Sequence, residues 1–347
     1  MGDRINTING PIALDALGKT LMHEHLTIGL PGWESDTLAD HRHRRDMVAR
    51  CVDLIQELQD NGFNSLLDPC PNDIGRDVDL MGEVASRTGF NILFATGLYD
   101  ELMGGSYWKI KAARDPDAEN YIADMYIREI EKGIGDAGSK PAIIKVATGR
   151  GPFSHFETIA IQAAATAAVA TGTPITTHTA GIDGDRQLQL LSGRGVPAHR
   201  IIIGHCCGSN DRQYHQDICR HGAYIGFDRF GLLQFNSDEN RVANLSALMK
   251  SGYAPSVIIS HDCTFNLRGP LVGRDDIPPV VRPMHFVREI APRLRESGIE
   301  APVIEALLTA NPRRYFKGEE PPPPAIEPFA SSQLSNGFTV PKSGLRE

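Results

Sequence analysis

The 347-residue sequence has no apolar run approaching the roughly 20 residues of a membrane span. Its longest apolar stretch, from Ile159 to Ala170, is broken by Gln162 and by threonines. The opening MGDRINTING lacks both a basic and an apolar region, so no export leader is expected. Six cysteines (Cys51, Cys70, Cys206, Cys207, Cys219 and Cys263) include no CxxC pair. That excludes zinc-finger spacing, and without a leader it predicts free thiols in a reducing compartment rather than a disulfide framework. Positive charge is in deficit: 35 Lys plus Arg face 43 Asp plus Glu, for a net charge of −8 at pH 7 and a pI near 5.8. Nucleic acid and anionic membranes are therefore poor partners. With 41% apolar and 22% charged residues, the chain can build a core and is too weakly charged for disorder. A cytoplasmic globular enzyme or binding protein is the class that remains.

What the sequence does contain is repetition. Residues 20–28, 63–70, 91–99, 142–148, 174–179, 200–206, 223–229 and 257–263 read as strands. Runs such as Ile201-Ile202-Ile203 and Val257-Ile258-Ile259 are apolar on successive residues, as in parallel strands buried on both faces. Between them, 45–59, 77–87, 119–132, 156–170, 186–192 and 241–251 carry helical patterns, several closed by a glycine such as Gly89 or Gly172. Eight βα units predict an α/β fold: a closed (β/α)8 TIM barrel forming a single domain over residues 1–317. An open doubly wound sheet fits less well, because no GxGxxG follows the first strand. Four consecutive prolines after Phe316 cannot continue a helix or a central strand, so 318–347 is expected to be an extended tail.

In such a barrel the chemistry collects where strands run into the loops that follow them. His23 and His25 end strand one in LMHEHL, and Lys145 lies in AIIKVAT of strand four. His178 ends ITTHT, His205 ends IIIGHC and Asp262 ends IISHD. Six titratable groups from five strands thus share one rim. The strand period of two puts His23 and His25 on one wall and Glu24 on the other, and sends His261 toward the helices in a structural role. Two imidazoles on one wall can hold a divalent cation. His41 and His43 repeat that spacing among arginines and read instead as a solvated face. A buried lysine flanked by Ile143, Ile144 and Val146 is costly unless it is paired or neutral. An ion pair with Asp262 is one solution. The other is a neutral amine that takes up carbon dioxide and becomes an anionic carbamate ligand.

These residues sit in GKTLMHEHL (18–26), DPCPNDIGRD (68–77), TGLY (96–99), IIKVAT (143–148), TPITTHT (173–179), IIIGH (201–205), IGFDRFG (225–231), ISHD (259–262) and NPRRYF (311–316). With that series the chain resembles the phosphotriesterase-like family of the amidohydrolase superfamily, and most of all its lactonases. The resemblance implies a binuclear metal-dependent hydrolase. His23, His25 and Asp262 would hold the more buried ion and His178 and His205 the more exposed one, with carboxylated Lys145 and a hydroxide bridging them. Zinc suits such nitrogen and oxygen donors, with cobalt, manganese or iron as substitutes.

The implied reaction is hydroxide attack on a lactone or related carboxylic ester, with Asp262 taking the proton and phosphotriester hydrolysis as a side activity. A dedicated organophosphate triesterase or an amide hydrolase is the alternative, and a non-catalytic metal-binding barrel is the third reading. Tyr99 and Arg229 resemble residues of the lactonase subset. Tyr99 is expected to donate to the substrate or the hydroxide, and Arg229 to shape the mouth or pair with an acid such as Asp228. Glu24 and Asp228 receive no metal role. Trp33, Leu98, Trp108, Phe230, Leu232 and Phe265 are candidate contacts for an acyl or aryl group, and loops 29–36 and 267–282 are expected to set substrate choice. After His205 the chain runs Cys206-Cys207-Gly208-Ser209-Asn210 before Asp211, where the lactonases are expected to bring a glycine and an acid sooner. The two thiols read as spectators. A small-molecule substrate and a C2 homodimer complete the expectations.

Overall fold

A computed structural model describes residues 3–38, 43–269 and 282–324. Eight short strands pair in chain order, all parallel: β1 (Lys19–Leu21), β2 (Phe63–Asp68), β3 (Asn91–Gly97), β4 (Ile143–Ala147), β5 (Ile175–His178), β6 (Ile201–Ile203), β7 (Tyr224–Phe227) and β8 (Val257–Ile259). The first and last strands then approach each other. Met22 N–H donates to Ile259 O at 3.4 Å, and two short parallel pairings stand above it, Glu24–His25 with Cys263–Thr264 and Ile28–Gly29 with Leu267–Arg268. The result is a nearly closed (β/α)8 barrel.

The first strand, expected to be continuous over 20–28, is broken into three pieces. His23 N–H donates to Ser260 Oγ (2.8 Å) and Leu26 N–H to Asp68 Oδ2 (2.8 Å), so side-chain acceptors replace ladder partners where the chain bends.

Helices alternate with the strands: α1 (Arg44–Asp60), α2 (Val78–Thr88), α3 (Ser106–Arg114), α4 (Ala118–Lys132), α5 (His155–Thr171), α6 (Gly184–Gly193), α7 (Arg212–Arg220) and α8 (Asp238–Leu248). After β8 come α9 (Ala291–Glu296), α10 (Ala301–Leu308) and α11 (Ala310–Lys317). α3 and α9–α11 escaped the reading of the sequence, whereas α7 ends just before Gly222, one of the glycines expected to close a helical pattern. α3 shows why: its nine residues, SYWKIKAAR, bury only Ala112, too little of a stripe to stand out. By contrast, α5 is marked at its start by a reciprocal capping box between Ser154 and Glu157. An antiparallel hairpin, Arg4–Thr7 with Gly10–Ala13, was not expected either.

Alternation along the strands separates two cores. On β4, Ile144 and Val146 pack with the helices, while Ile143 joins a separate cluster with Met22, Leu67, Leu93, Ile202, Tyr224 and Ile258 that fills the lower barrel. Tyr315 and Phe316 of α11 belong to the same cluster. Beside them Arg200 donates to Tyr315 O and Phe316 O (3.3 Å each) and to Gly172 O (2.6 Å), and Tyr315 Oη donates to Ile175 O (2.7 Å). Above that apolar plug the strand ends carry polar side chains. Among the described residues no helix is long and apolar enough to cross a membrane. His41, most of the 267–282 loop and tail residues 325–347 lie outside the described residues.

Candidate metal centre

His23 follows β1, His25 lies in the short pairing above it, Lys145 is inside β4 and His178 ends β5. His205 follows β6, and Asp262 follows β8. Asp262 is the hub of the cluster. Its Oδ1 lies 3.3 Å from His25 Nε2 and 3.6 Å from His23 Nε2, and its Oδ2 lies 3.8 Å from His205 Nε2. Lys145 Nζ is 3.4 Å from His23 Nε2, and the His178 ring meets the His205 ring edge-on at 4.6 Å between centroids. Tyr99, just after β3, shares a 3.0 Å hydrogen bond with His178 Nδ1. Arg229, after β7, donates from Nε to Asp262 Oδ2 at 2.8 Å. All eight side chains singled out from the sequence therefore form one connected, largely buried group.

The aim of the imidazoles is fixed from behind. His25 Nδ1 faces Asp68 Oδ1 at 3.2 Å, His205 Nδ1 faces Asp228 Oδ1 at 2.9 Å and His23 Nδ1 faces Asp228 Oδ2 at 3.3 Å. A carboxylate can only accept, so each contact places a proton on Nδ1 and turns Nε2 inward. His205 Nε2 is buried and has no hydrogen-bond partner, an expense that a bound cation would remove. His23, His25 and Asp262 bring one ligand atom each within 4.8 Å of one another, and so do His23, His205 and Asp228. This donor set fits divalent cations of the zinc type. Two of its members are held in backbone conformations rare for side-chain-bearing residues, His205 at φ 60° and Asp262 at φ 55°. Such strain gathers at functional sites.

Burial pushes the Lys145 ammonium down to about 8. Among the described residues no carboxylate comes within ion-pair distance of it, and Nζ instead reaches Thr177 O at 3.3 Å. The Lys145–Asp262 pair is thus not formed, because Arg229 occupies that acid. Although burial opposes it, the fields of His205 and Arg229 hold the Asp262 carboxyl well below its usual range. Burial, reinforced by Lys145, pushes His23 down to about 3, so in the bare site this ring is neutral.

Several expectations need correction. Arg229 pairs with Asp262 rather than Asp228, whose two oxygens are taken by histidines. Leu98, Phe230 and Phe265 are fully buried in the hydrophobic core, and Trp33, Trp108 and Leu232 are half-buried. An aromatic that went unnoticed, Phe235, is exposed and lies 4.2 Å from the Arg229 guanidinium. Cys206 is buried and donates to Ile203 O at 3.3 Å. His261 is turned outward as expected, bonded to Glu24 (2.6 Å) and accepting from Phe286 N–H (2.9 Å). The supporting roles of Asp68 and Asp228 were missed. Their signal was the one already in use, an acid at the C-terminal end of a barrel strand.

An eight-stranded parallel barrel with this histidine, lysine and aspartate cluster at its C-terminal rim defines a metal-dependent hydrolase. The chain belongs to the phosphotriesterase family, whose model matches residues 3–316. It is 32% identical over 325 residues to the phosphotriesterase homology protein of Mycobacterium tuberculosis, covering 90% of this chain and 97% of that one. A phospho-furanose lactonase of Mycoplasmopsis synoviae is 25% identical over 329 residues, covering 90% and 92%. Among solved structures, the organophosphorus hydrolase of Deinococcus radiodurans superposes with a TM-score of 0.85 at 35% identity, covering 90% of this chain and 97% of that one.

Proposed function

We propose that this enzyme hydrolyses lactones or related carboxylic esters with two divalent cations, zinc being best suited. His23, His25 and Asp262 would hold one ion and His178 and His205 the other, with Lys145 as a carbamate between them. The observation that carries the reading is the set of inward-facing Nε2 atoms on carboxylate-anchored histidines, above all the unpartnered Nε2 of His205. When bound, the ions supply an acidified water and a Lewis acid for the substrate oxygen.

The protein's own groups do the rest. Lys145, whose ammonium sits near 8, offers some neutral amine at neutral pH. Its nitrogen attacks carbon dioxide and loses a proton, leaving a carboxylate where a cation would repel the metals. Asp262 would take the proton of the attacking water and pass it to the leaving group, with Arg229 fixing the aim of its carboxylate. Burial keeps the Tyr99 hydroxyl protonated, with its pKa well above 10, so it can donate to the ring oxygen of a lactone while bracing His178. The chain is read as a cytoplasmic C2 homodimer, on the resemblance and on the general prevalence of such dimers.

The resemblance to an organophosphorus hydrolase sustains a second reading as a phosphotriesterase. The test is protein reconstituted with zinc and bicarbonate, assayed on a long-chain lactone, an aryl ester and a paraoxon-like triester. The lactone should give the highest kcat/KM, and turnover of the triester alone would overturn the proposal. Carbon-13 bicarbonate should yield one carbamate resonance per chain that is absent in Lys145→Ala.

A further inference from the structure

The carboxylates behind the histidines do unequal work. Asp68 serves one ring: besides His25 it accepts the Leu26 N–H (2.8 Å) and the Cys70 N–H (2.9 Å). Asp228 serves two. Its Oδ1 accepts both the Nδ1–H and the backbone N–H of His205 (2.9 and 3.0 Å), and its Oδ2 faces His23 Nδ1 at 3.3 Å. Asp228 follows β7 and His23 follows β1, so the carboxylate reaches past β8. It spans the closure of the barrel, where Met22 N–H to Ile259 O is a long main-chain bond. The sequence makes room for it. A Cβ on Gly226 would stand 2.5 Å from Asp228 Oδ2, closer than any side chain permits. Asp228 is 1% exposed, and a buried carboxylate is tolerated only when its oxygens are satisfied. Here the groups that satisfy it are the two rings and the backbone N–H of His205.

In the ligand assignment above, on which this inference rests, His23 and His205 belong to different ions. We propose that Asp228 is a positioning residue that couples the two ions, because one carboxylate fixes the tautomer and aim of a ligand to each. The two rings lie only 4.7 Å apart between centroids, so release of either leaves the other with a displaced anchor.

The experiment uses the zinc-loaded holoenzyme and two readouts other than activity. These are metal release into excess chromogenic chelator and the low-field proton signals of hydrogen-bonded Nδ1–H groups. Asp228→Asn turns an amide N–H₂ toward one of two N–H donors. It should weaken both metal equivalents together, about 10–100-fold, and shift two low-field signals. Asp68→Asn should weaken one equivalent and shift one signal. If Asp228→Asn fails to fold, Gly226→Ala is read in its place. It keeps the carboxylate but displaces it, and the same two-ion effect is expected. Loss confined to one equivalent in the Asp228 or Gly226 variant, or identical patterns for Asp68→Asn and Asp228→Asn, overturns the coupling. Wild-type protein that retains no zinc at all overturns the ligand assignment instead, so the two failures are distinguishable.

Discussion

The two ends of the barrel both bury charge, and they do so in opposite ways. At the N-terminal end Arg200 directs its donors to the main-chain carbonyls of Gly172, Tyr315 and Phe316. At the C-terminal end the histidines are anchored through Nδ1 while Nε2 faces the shared centre, and His205 Nε2 is left without a partner. Saturation marks a group that holds the fold together. An unpartnered atom that faces a cluster of ligand-type side chains, as His205 Nε2 does, marks one kept ready for a ligand. The difference separates stability from activity more sharply than residue type does, since buried charges occur at both ends.

The contrast breaks most visibly at Asp262. Asp262→Ala should lower hydrolysis about a thousandfold, ~4 kcal/mol of transition-state stabilisation, and reduce bound metal, with the protein still folded. A variant that merely unfolds would erase the distinction. Arg200→Met should do the reverse, costing about 3 kcal/mol of stability in denaturant titrations while the kcat/KM of the loaded enzyme stays at the wild-type value. A large loss of kcat/KM there would make the lower end part of the site.

A third test lies at the rim itself, where Asp238 is a saturated group. It accepts from Gly231 N–H (2.9 Å), Arg241 (2.8 Å) and His285 (2.7 Å). Although burial opposes this, those partners lower its carboxyl from 3.8 to about 2. The unfolded chain therefore binds more protons between those values. The stability Asp238 contributes is complete above about 4 and is lost as the pH falls through about 2. The gap between wild type and Asp238→Asn, about 2 kcal/mol at neutral pH, should close over that window, and a gap indifferent to pH would contradict the ion-pair account. The smallest effect is expected for Tyr99→Phe. Loss of the hydroxyl beside His178 should lower kcat/KM for lactones roughly tenfold, ~1.4 kcal/mol, with the folded state unaffected. An unchanged value would reduce Tyr99 to packing.

Much of the site was legible in the sequence because it obeys local rules. A strand period of two aligned His23 with His25 and excluded Glu24 and His261. Strand-end placement picked out Lys145, His178, His205 and Asp262. What could not be read depended on partners brought together only by closure of the ring. Asp68 and Asp228 were visible as acids, but the rings they orient lie on other strands. Arg229 had two neighbouring acids to choose from, and only the geometry decides for Asp262. Apolar residues after strand ends were equally ambiguous. Phe230 turns into the core against Phe286, whereas Phe235, a few residues on, stays at the surface over Arg229. Composition does not distinguish the two.

The closure between the first and eighth strands carries a consequence for how the protein is made. His23 and His25 leave the ribosome early, but Asp262, which stands within 4 Å of both, is added only after seven other strands have emerged. A growing chain therefore owns no complete cage, and cofactor capture must be among the last events of maturation. Chains that stop short of the eighth strand would be poor metal scavengers, and the affinity of the finished centre is delivered as stabilisation of the completed ring.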